Sequence, residues 1–340
     1  MTDRERWNLR GPVQSCLVER TWYLRRCNAD ACETEERADN GTVEFRTDGS
    51  LARAKSRNSD GSEGKRDYEY DDRGRLLKIR IENAGRADEQ VFEYDPAGRV
   101  ARLIARPHDG GERLVESYEY DGAGRKKKTF FVDEASRHAL NAWGVEGTDA
   151  AYGAQGAATI ITFYDERDQP GEVVFLDSDS QELTRVELRY DEAGRLVEEV
   201  QSKYTLPAEM LACFDEAQKE TVRAAFSARR THRYDELGRR VQTRLQMGPL
   251  GGDAKTVIHN DYGDPIREIT EHEQREYGMD DEGHFSPAPT KETVHRSEAR
   301  FLYEYDASGN WVVKIVEGRG GDNQEFTRSS MERRTITYFD

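Results

Sequence analysis

Residues 68–81 read Tyr-Glu-Tyr-Asp-Asp-Arg-Gly-Arg-Leu-Leu-Lys-Ile-Arg-Ile, which is a short polar turn between two alternating segments. In the turn, a tyrosine and an aspartate are followed by a glycine, three residues after the aspartate. An aspartate at this place accepts backbone hydrogen bonds, and the glycine takes the left-handed conformation that closes a three-residue hairpin loop. The alternation on both sides is typical of strands with one apolar face. The segment therefore predicts a β-hairpin.

The same turn recurs along the chain, and self-similarity of this kind is the mark of a repeat protein. Three degenerate copies begin at Phe45, Tyr164 and His259. Six clear copies share the aspartate and the glycine, to which we assign a role in turn structure and none in catalysis: Asp71 and Gly74, Asp95 and Gly98, Asp121 and Gly124, Asp191 and Gly194, Asp235 and Gly238, and Asp306 and Gly309.

The repeats predict one all-β domain over residues 1–340. We expect a continuous, mostly antiparallel sheet of sequential hairpins, curled or spiral as a partial shell, because strand twist accumulates over many strands. Residues 1–41 are expected to form N-terminal strands or a cap, residues 42–316 the repeats, and residues 317–340 the C-terminal edge strands. The composition, 35% hydrophobic and 35% charged, is typical of a thin sheet with one face in water.

The spacing of the copies is uneven. Their aspartate-equivalent positions follow at steps of 25, 24, 26, 44, 26, 44, 25 and 46 residues. In a meander every Asp-x-x-Gly turn lies at one edge, so the three long steps place the insertions 133–158, 202–230 and 270–297 at the opposite edge. Loops grouped on a rigid scaffold are where binding usually occurs.

The insertions supply the candidate binding residues. These are Trp143 and Tyr152 in the first insertion, and Tyr277 and His284 in the third. The middle insertion has a proline followed by apolar residues at helical intervals, which predicts an amphipathic helix near 207–226.

The repeats carry a resemblance to a known family. The segments YEYDDRGRLLKI, FEYDPAGRV, YEYDGAGRK, RYDEAGRLVEEV, RYDELGRRV and YEYDASGNWVVKI resemble YD repeats, also called RHS repeats, over roughly residues 40–316. The stretch Leu9-Arg10-Gly11-Pro12-Val13-Gln14-Ser15 is similar to the start of small stand-alone bacterial members. The resemblance implies a sheet that winds in a spiral, which in large members forms a hollow shell, often around a toxic C-terminal domain. We find no proline-rich self-cleavage motif of the kind that closes those shells, and we expect no toxin domain after the last repeat.

Charge and hydropathy exclude some classes of partner. The net charge is −16 with basic residues dispersed among acids, which argues against nucleic acid. No stretch approaches the length of a membrane-spanning helix. The start of the sequence has no apolar signal region, so we expect a cytoplasmic protein as the sequence stands, or a secreted or cell-surface one if a leader was removed. The sequence does not predict an oligomeric state.

Catalytic and metal-binding patterns are absent from the sequence. There is no phosphate-binding glycine loop, no Gly-x-Ser-x-Gly elbow and no His-Glu-x-x-His, so no cofactor or metal is predicted. The stretch Asp177-Ser178-Asp179-Ser180 is similar to the first half of a calcium loop but lacks its glycine and glutamate. The cysteines Cys16, Cys27, Cys32 and Cys213 leave two interpretations open, free thiols or a Cys27–Cys32 bridge in a secreted protein.

Several functions remain open. We favour a non-enzymatic structural or binding repeat protein that presents a curved β surface and clustered loops to a protein or carbohydrate partner. One alternative is a relative or fragment of an RHS-type shell that encloses or delivers a toxin, and another is an enzyme with a site at the insertion edge. An enzyme should show a deep pocket with convergent polar groups, whereas a binding protein should show a shallow groove.

Overall fold

The structure is a computed structural model. It describes residues 2–27, 32–132, 142–144, 151–153, 156–202, 219, 227–248, 251–276, 289–321 and 325–340. For residues 25–27, 32–33, 142–144 and 151–153 it describes the backbone alone.

The described chain begins with one short helix, α1 (Asp3–Arg6), which is capped by Thr2 and Glu5 in a reciprocal capping box. The remaining elements are strands. Those of the first half are β1 (Val13–Cys27), β2 (Cys32–Phe45), β3 (Leu51–Arg57), β4 (Glu63–Tyr70), β5 (Leu76–Asn83), β6 (Arg86–Tyr94), β7 (Val100–Arg106), β8 (Arg113–Tyr120), β9 (Lys126–Phe131), β10 (Ala142–Gly144) and β11 (Ala151–Gly153). Those of the second half are β12 (Thr159–Tyr164), β13 (Pro170–Leu176), β14 (Glu182–Tyr190), β15 (Leu196–Ser202), β16 (Ala228–Tyr234), β17 (Arg240–Met247), β18 (Gly251–His259), β19 (Pro265–Glu276), β20 (Lys291–Tyr305), β21 (Trp311–Gly320) and β22 (Thr327–Tyr338).

Twenty of these strands belong to one sheet, and β10 and β11 form a separate pair. The first strand, β1, pairs antiparallel with β2 on one side and with the last strand, β22, on the other. In this register Val18 lies opposite both Gly41 and Arg334. The strand order therefore closes at the chain termini. The predicted spiral or partial shell is wrong, because neither β1 nor the C-terminal strand within 317–340 is an edge.

The repeat turn is built around its aspartate. At Asp71, one carboxylate oxygen accepts the backbone N–H groups of Arg73 and Arg75, both at 2.9 Å, and the other accepts Nε of Arg75 at 2.7 Å. The backbone N–H of Arg75, then its guanidinium, lowers the pKa of Asp71. Gly74 N–H donates to the Asp71 carbonyl at 3.0 Å. The six glycines of the clear copies have φ between 76° and 83°, in the region that favours glycine.

Successive hairpins are joined by the tyrosine of one repeat and the arginine of the previous turn. The Arg75 guanidinium lies 4.5 Å from the centroid of the Tyr94 ring, and Tyr94 Oη donates to the Leu76 carbonyl at 2.8 Å. A hydroxyl bond of this kind recurs in Tyr70 to Leu51, Tyr190 to Pro170 and Tyr234 to Leu196. At Pro265 the donor is Tyr303, two residues before the repeat tyrosine Tyr305. The tyrosines thus pack between hairpins and also satisfy a backbone carbonyl, which phenylalanine could not do.

The aspartate-rich stretch 177–180 is a hairpin turn between β13 and β14. Asp177 N–H donates to the Gln181 carbonyl at 3.0 Å, and the Asp177 carboxylate accepts the N–H of Asp179 at 2.9 Å. Ser180 takes the left-handed conformation, with φ of 62°. The stretch therefore has the bonding of the repeat turn, with serine in the place of glycine.

The described chain divides into two compact units, which we treat separately. Unit 1 comprises Met1–Leu114, His259–Arg267 and Glu298–Asp340, and unit 2 comprises Val115–Ile258 and Glu268–Ser297. The buried apolar core of unit 1 consists of Leu9, Val13, Cys16, Val18, Val43 and Phe45. That of unit 2 consists of Val132, Ala157, Ile160, Val173, Phe175, Val186, Leu188 and Leu196.

In unit 1, residues 2–10 pack against turns from distant parts of the chain. Arg10 N–H donates to Oδ1 of Asn310 at 2.6 Å, and Asn310 Nδ2 returns a bond to the Arg10 carbonyl at 2.9 Å. Asn8 Nδ2 donates to the carboxylate of Asp264 at 3.0 Å. Asn310 and Asp264 are buried, so these bonds satisfy groups that would be costly to leave without partners.

A third turn is also bonded to residues 2–10, since Arg4 N–H donates to the Gly49 carbonyl at 3.0 Å. Asp264 also accepts the hydroxyl of Tyr305 at 2.8 Å. Burial, then the bond to this carboxylate, raises the pKa of Tyr305 to about 12. The segment 2–10 therefore links three turns of unit 1 that are far apart in sequence.

The structure describes the third predicted insertion in part and the middle one hardly at all. Residues 270–276 and 291–297 of the third insertion belong to β19 and β20, so much of the longest step extends a hairpin. Of the helix predicted near 207–226, only Lys219 falls within the described residues.

Candidate functional site

The structure describes only two of the four predicted binding residues. Trp143 and Tyr152 lie in β10 and β11, directly opposite each other in the register of that two-stranded sheet. Their side chains are not described. Tyr277 and His284 lie outside the described residues.

The strands that flank the first two insertions end at the edge opposite the Asp-x-x-Gly turns. Phe131, at the end of β9, is paired with Thr159, at the start of β12. In the same way Gln201, near the end of β15, is paired with Ala228, at the start of β16. Both strands β9 and β15 begin next to a repeat turn, so both insertions leave unit 2 at the far edge.

A buried polar cluster in unit 2 was not predicted from the sequence. His232 Nε2 lies 2.6 Å from Oε1 of Glu199, and its Nδ1 lies 3.0 Å from Oγ1 of Thr243. Arg230 Nη1 donates to the other Glu199 oxygen at 3.0 Å. The side chains of Glu199 and His232 are each 1% exposed. Antiparallel pairing assembles this cluster, since Glu199 lies opposite Arg230 and His232 opposite Thr243.

The repeat contains a signal for this cluster. His232 stands two residues before the repeat tyrosine Tyr234, and the other clear copies hold an apolar or aromatic residue there, namely Tyr68, Phe92, Tyr118, Leu188 and Tyr303. A histidine at a core-facing position needs buried partners for its ring nitrogens. The departure from the repeat therefore marks the place of a polar network.

The order carboxylate, imidazole, hydroxyl is also that of a catalytic triad. The imidazole of His232 is covered, however, and a leaving group could not reach its proton. A cavity of about 540 Å³ lies nearby in unit 2, lined among others by Arg229, Arg244 and Glu273. Glu199, His232 and Thr243 do not line it. The cluster therefore has the arrangement of a structural network.

A second buried carboxylate, Glu298, lies in unit 1 between two arginines. Arg267 Nε donates to one of its oxygens at 2.6 Å, and Arg319 Nη2 donates to the other at 2.7 Å. The Arg267 hydrogen bond, then that of Arg319, lowers the pKa of Glu298 to about 2. The carboxylate stays ionised in the folded protein across the ordinary pH range.

Glu298 should make unit 1 sensitive to acid. Because its pKa is lower folded than unfolded, its contribution to stability is complete at neutral pH and is lost as the pH falls from about 5 toward 2. We expect the urea midpoint of Glu298→Gln to fall less between pH 6 and pH 3 than that of the parent. The exposed Glu63→Gln serves as the control. Equal acid sensitivity of the parent and Glu298→Gln would contradict the assignment.

Neither a metal centre nor a spanning helix is found in the described part of the chain. Over those residues, no group of three or more His, Cys, Asp or Glu side chains could hold a metal ion. No described helix is long and apolar enough to cross a membrane. Cys27 and Cys32 are opposite each other in the β1–β2 register, and burial raises the pKa of the free thiol of Cys16.

Comparison with known proteins gives no assignment of family. No family model matches the sequence, and no curated protein matches it. A porin-like protein from Bacteroides uniformis is 9% identical with a TM-score of 0.35, covering 96% of this chain and 98% of that one. The structure of TcdB2-TccC3 is 12% identical with a TM-score of 0.35, covering 89% of this chain and 17% of that one. Transferrin binding protein B from Haemophilus parasuis is 8% identical with a TM-score of 0.20, covering 96% of this chain and 76% of that one. Likeness at this level carries no argument about function.

Proposed function

We propose that this chain is a non-enzymatic YD-repeat protein that binds a protein or carbohydrate partner through the insertions of unit 2. The observation that carries the proposal is the pairing of β10 with β11 inside the first insertion. A connection that merely joined two strands would not need a sheet of its own. This one places Trp143 opposite Tyr152, and aromatic residues of these types contribute large contact areas to binding surfaces.

The scaffold around the insertions supports a binding role. The repeat turns and the tyrosine bonds between hairpins hold the strands of unit 2, and the flanking strands end at one edge. Insertions that leave a rigid sheet at one edge can present side chains without disturbing the core. The burial of His232 removes one candidate for general acid–base chemistry in unit 2.

The proposal is tested by replacing Trp143 and Tyr152 together with alanine in the full chain. Binding of the parent and the variant to an array of glycans and to a protein panel is compared. We expect at least one interaction of the parent to weaken about tenfold or more, since an aromatic anchor of an interface contributes roughly 2 kcal/mol.

The matched control is Phe163→Ser, which removes an exposed aromatic side chain in β12, outside the insertions. It should retain the interactions of the parent. If the double variant keeps its thermal transition and every interaction of the parent, the first insertion is not a binding surface and the proposal fails.

A further inference from the structure

A cavity of about 330 Å³ lies in unit 1 over the strands β1 to β5. Its lining includes a row of residues that the sheet register places side by side across four neighbouring strands: Gly41, Ser56, Gly64 and Asn83. Residues directly opposite each other in an antiparallel pair share a face of the sheet. Three small residues and one amide therefore form the floor of the cavity.

The floor has polar atoms at a fixed place. A Cβ atom built on Gly64 would lie 2.9 Å from Oδ1 of Asn83 and 2.9 Å from Oγ of Ser56. The space above Gly64 is thus bounded by an amide and a hydroxyl, each able to donate or accept a hydrogen bond. A ligand with several hydroxyl groups matches such a floor.

The walls of the cavity carry two arginines. Arg66 is exposed, and no carboxylate of the described chain lies within ion-pair distance of it. Arg20 forms an ion pair with Glu332, in which Nε of Arg20 lies 3.3 Å from Oε2 of Glu332. The acid on this wall, Asp39, accepts the indole N–H of Trp22 at 3.3 Å. In a chain of net charge −16, the unpaired guanidinium of Arg66 gives this cavity a place for an anion.

An aromatic rim completes the site. Trp22 follows Arg20 on the same face of β1 and is 42% exposed, and its bond to Asp39 links it to the cavity wall. Trp7 lines the cavity from the N-terminal segment. An indole combines an apolar face with a polar edge, so it can lie against the C–H face of a sugar ring while neighbouring groups bond its hydroxyls.

We propose that this cavity binds a carboxylate-bearing sugar of the uronic acid class. Arg66 provides the planar, two-pronged donor that a carboxylate matches. Asn83 and Ser56 meet the hydroxyl groups, and Trp22 covers the ring at the rim. The cavity volume lies at the lower end of the range for small-molecule sites, which suits one or two rings. The residues of this site belong to unit 1, whereas the insertions belong to unit 2.

The test measures binding of glucuronic acid and of glucose to the full chain by titration calorimetry. We expect glucuronic acid to bind at least about tenfold more tightly than glucose, as loss of a charge-assisted bidentate contact implies. Arg66→Met should remove that preference. Arg233→Met is the matched control, because Arg233 is also an exposed strand arginine with no described ion pair, outside the cavity.

A second variant fills the cavity. Gly64 has no left-handed backbone conformation, and the atoms nearest to its added Cβ are ends of side chains, so Gly64→Val should fold and should abolish binding of both sugars. Should that variant unfold, Arg66→Met still decides the question. Equal binding of glucose and glucuronic acid, no binding of either, or equal behaviour of Arg66→Met and Arg233→Met would overturn the proposal. The Trp143 and Tyr152 variant should keep this binding, so the two proposals fail separately.

Discussion

Replacing Glu199 by alanine is expected to lower the free energy of unfolding by about 3–5 kcal/mol, because it leaves charged and polar groups buried without their partner. His232 would lose the carboxylate at its Nε2, and Arg230 would lose the oxygen to which it donates. Both partners lie among the strands of unit 2, where water reaches the imidazole poorly. Urea denaturation followed by far-ultraviolet circular dichroism measures the change.

The exposed Glu187→Ala provides the control. Glu187 is 54% exposed and lies 3.5 Å from Arg189, a surface ion pair, so its loss should cost under about 1 kcal/mol. Should Glu199→Ala cost no more than this control, the buried cluster would not stabilise unit 2.

Replacing Gly194 by valine is expected to cost about 1–3 kcal/mol through strain in the repeat turn. Gly194 has φ of 77°, which β-branched residues avoid. An added Cβ would also lie 3.2 Å from Nε2 of Gln169, the atom that donates to the Gly194 carbonyl at 2.7 Å. The thermal midpoint of the full chain should fall accordingly.

The same substitution in a strand separates strain from the effect of the side chain. Gly171 lies in β13 without a left-handed φ, and the atom nearest to its added Cβ, the Phe163 carbonyl oxygen, is 3.9 Å away. Gly171→Val should be nearly neutral, since valine suits a strand. Equal losses at the two positions would contradict the turn assignment for Gly194.

The all-β antiparallel architecture could be predicted because its information is local. Each turn is specified within five residues, and in five clear copies these run from the aspartate to the arginine that bonds it, as in Asp71 and Arg75. The alternation next to each turn then sets which face is apolar. The hydroxyl bonds of the tyrosines could not be read in this way, because their acceptors lie in the preceding hairpin.

The pairing of the first strand with the last could not be predicted, because no local pattern records a register between residues 13–22 and 330–338. One departure from the repeat marks it nevertheless. The residue after the turn glycine is arginine in five clear copies, but it is Asn310 in the sixth, where the side-chain amide bonds the backbone of Arg10. The other two turns that bond the N-terminal segment are degenerate copies of the repeat. In them the residue after the turn glycine is Ser50 and Asp264, respectively.

The candidate site could be predicted less well than the fold. The candidate aromatic residues were predicted from the lengths of the insertions. The length of an insertion does not specify how its side chains are arranged in space. The buried cluster was missed because Glu199 and His232 are 33 positions apart and meet only through strand register. The cavity with Arg66 depends on five strands at once, which a linear pattern does not contain.

The neighbours of β1 have a consequence for how the chain is made. Its pairing with β2 is available as soon as this hairpin emerges, whereas its other partner, β22, follows only after the strands between them have been synthesised. Contacts with so large a sequence separation form slowly, because the intervening chain must first be ordered. Until then the backbone groups along one side of β1 are free to pair with another molecule. Translation speed and chaperone supply should therefore influence the soluble yield of this protein.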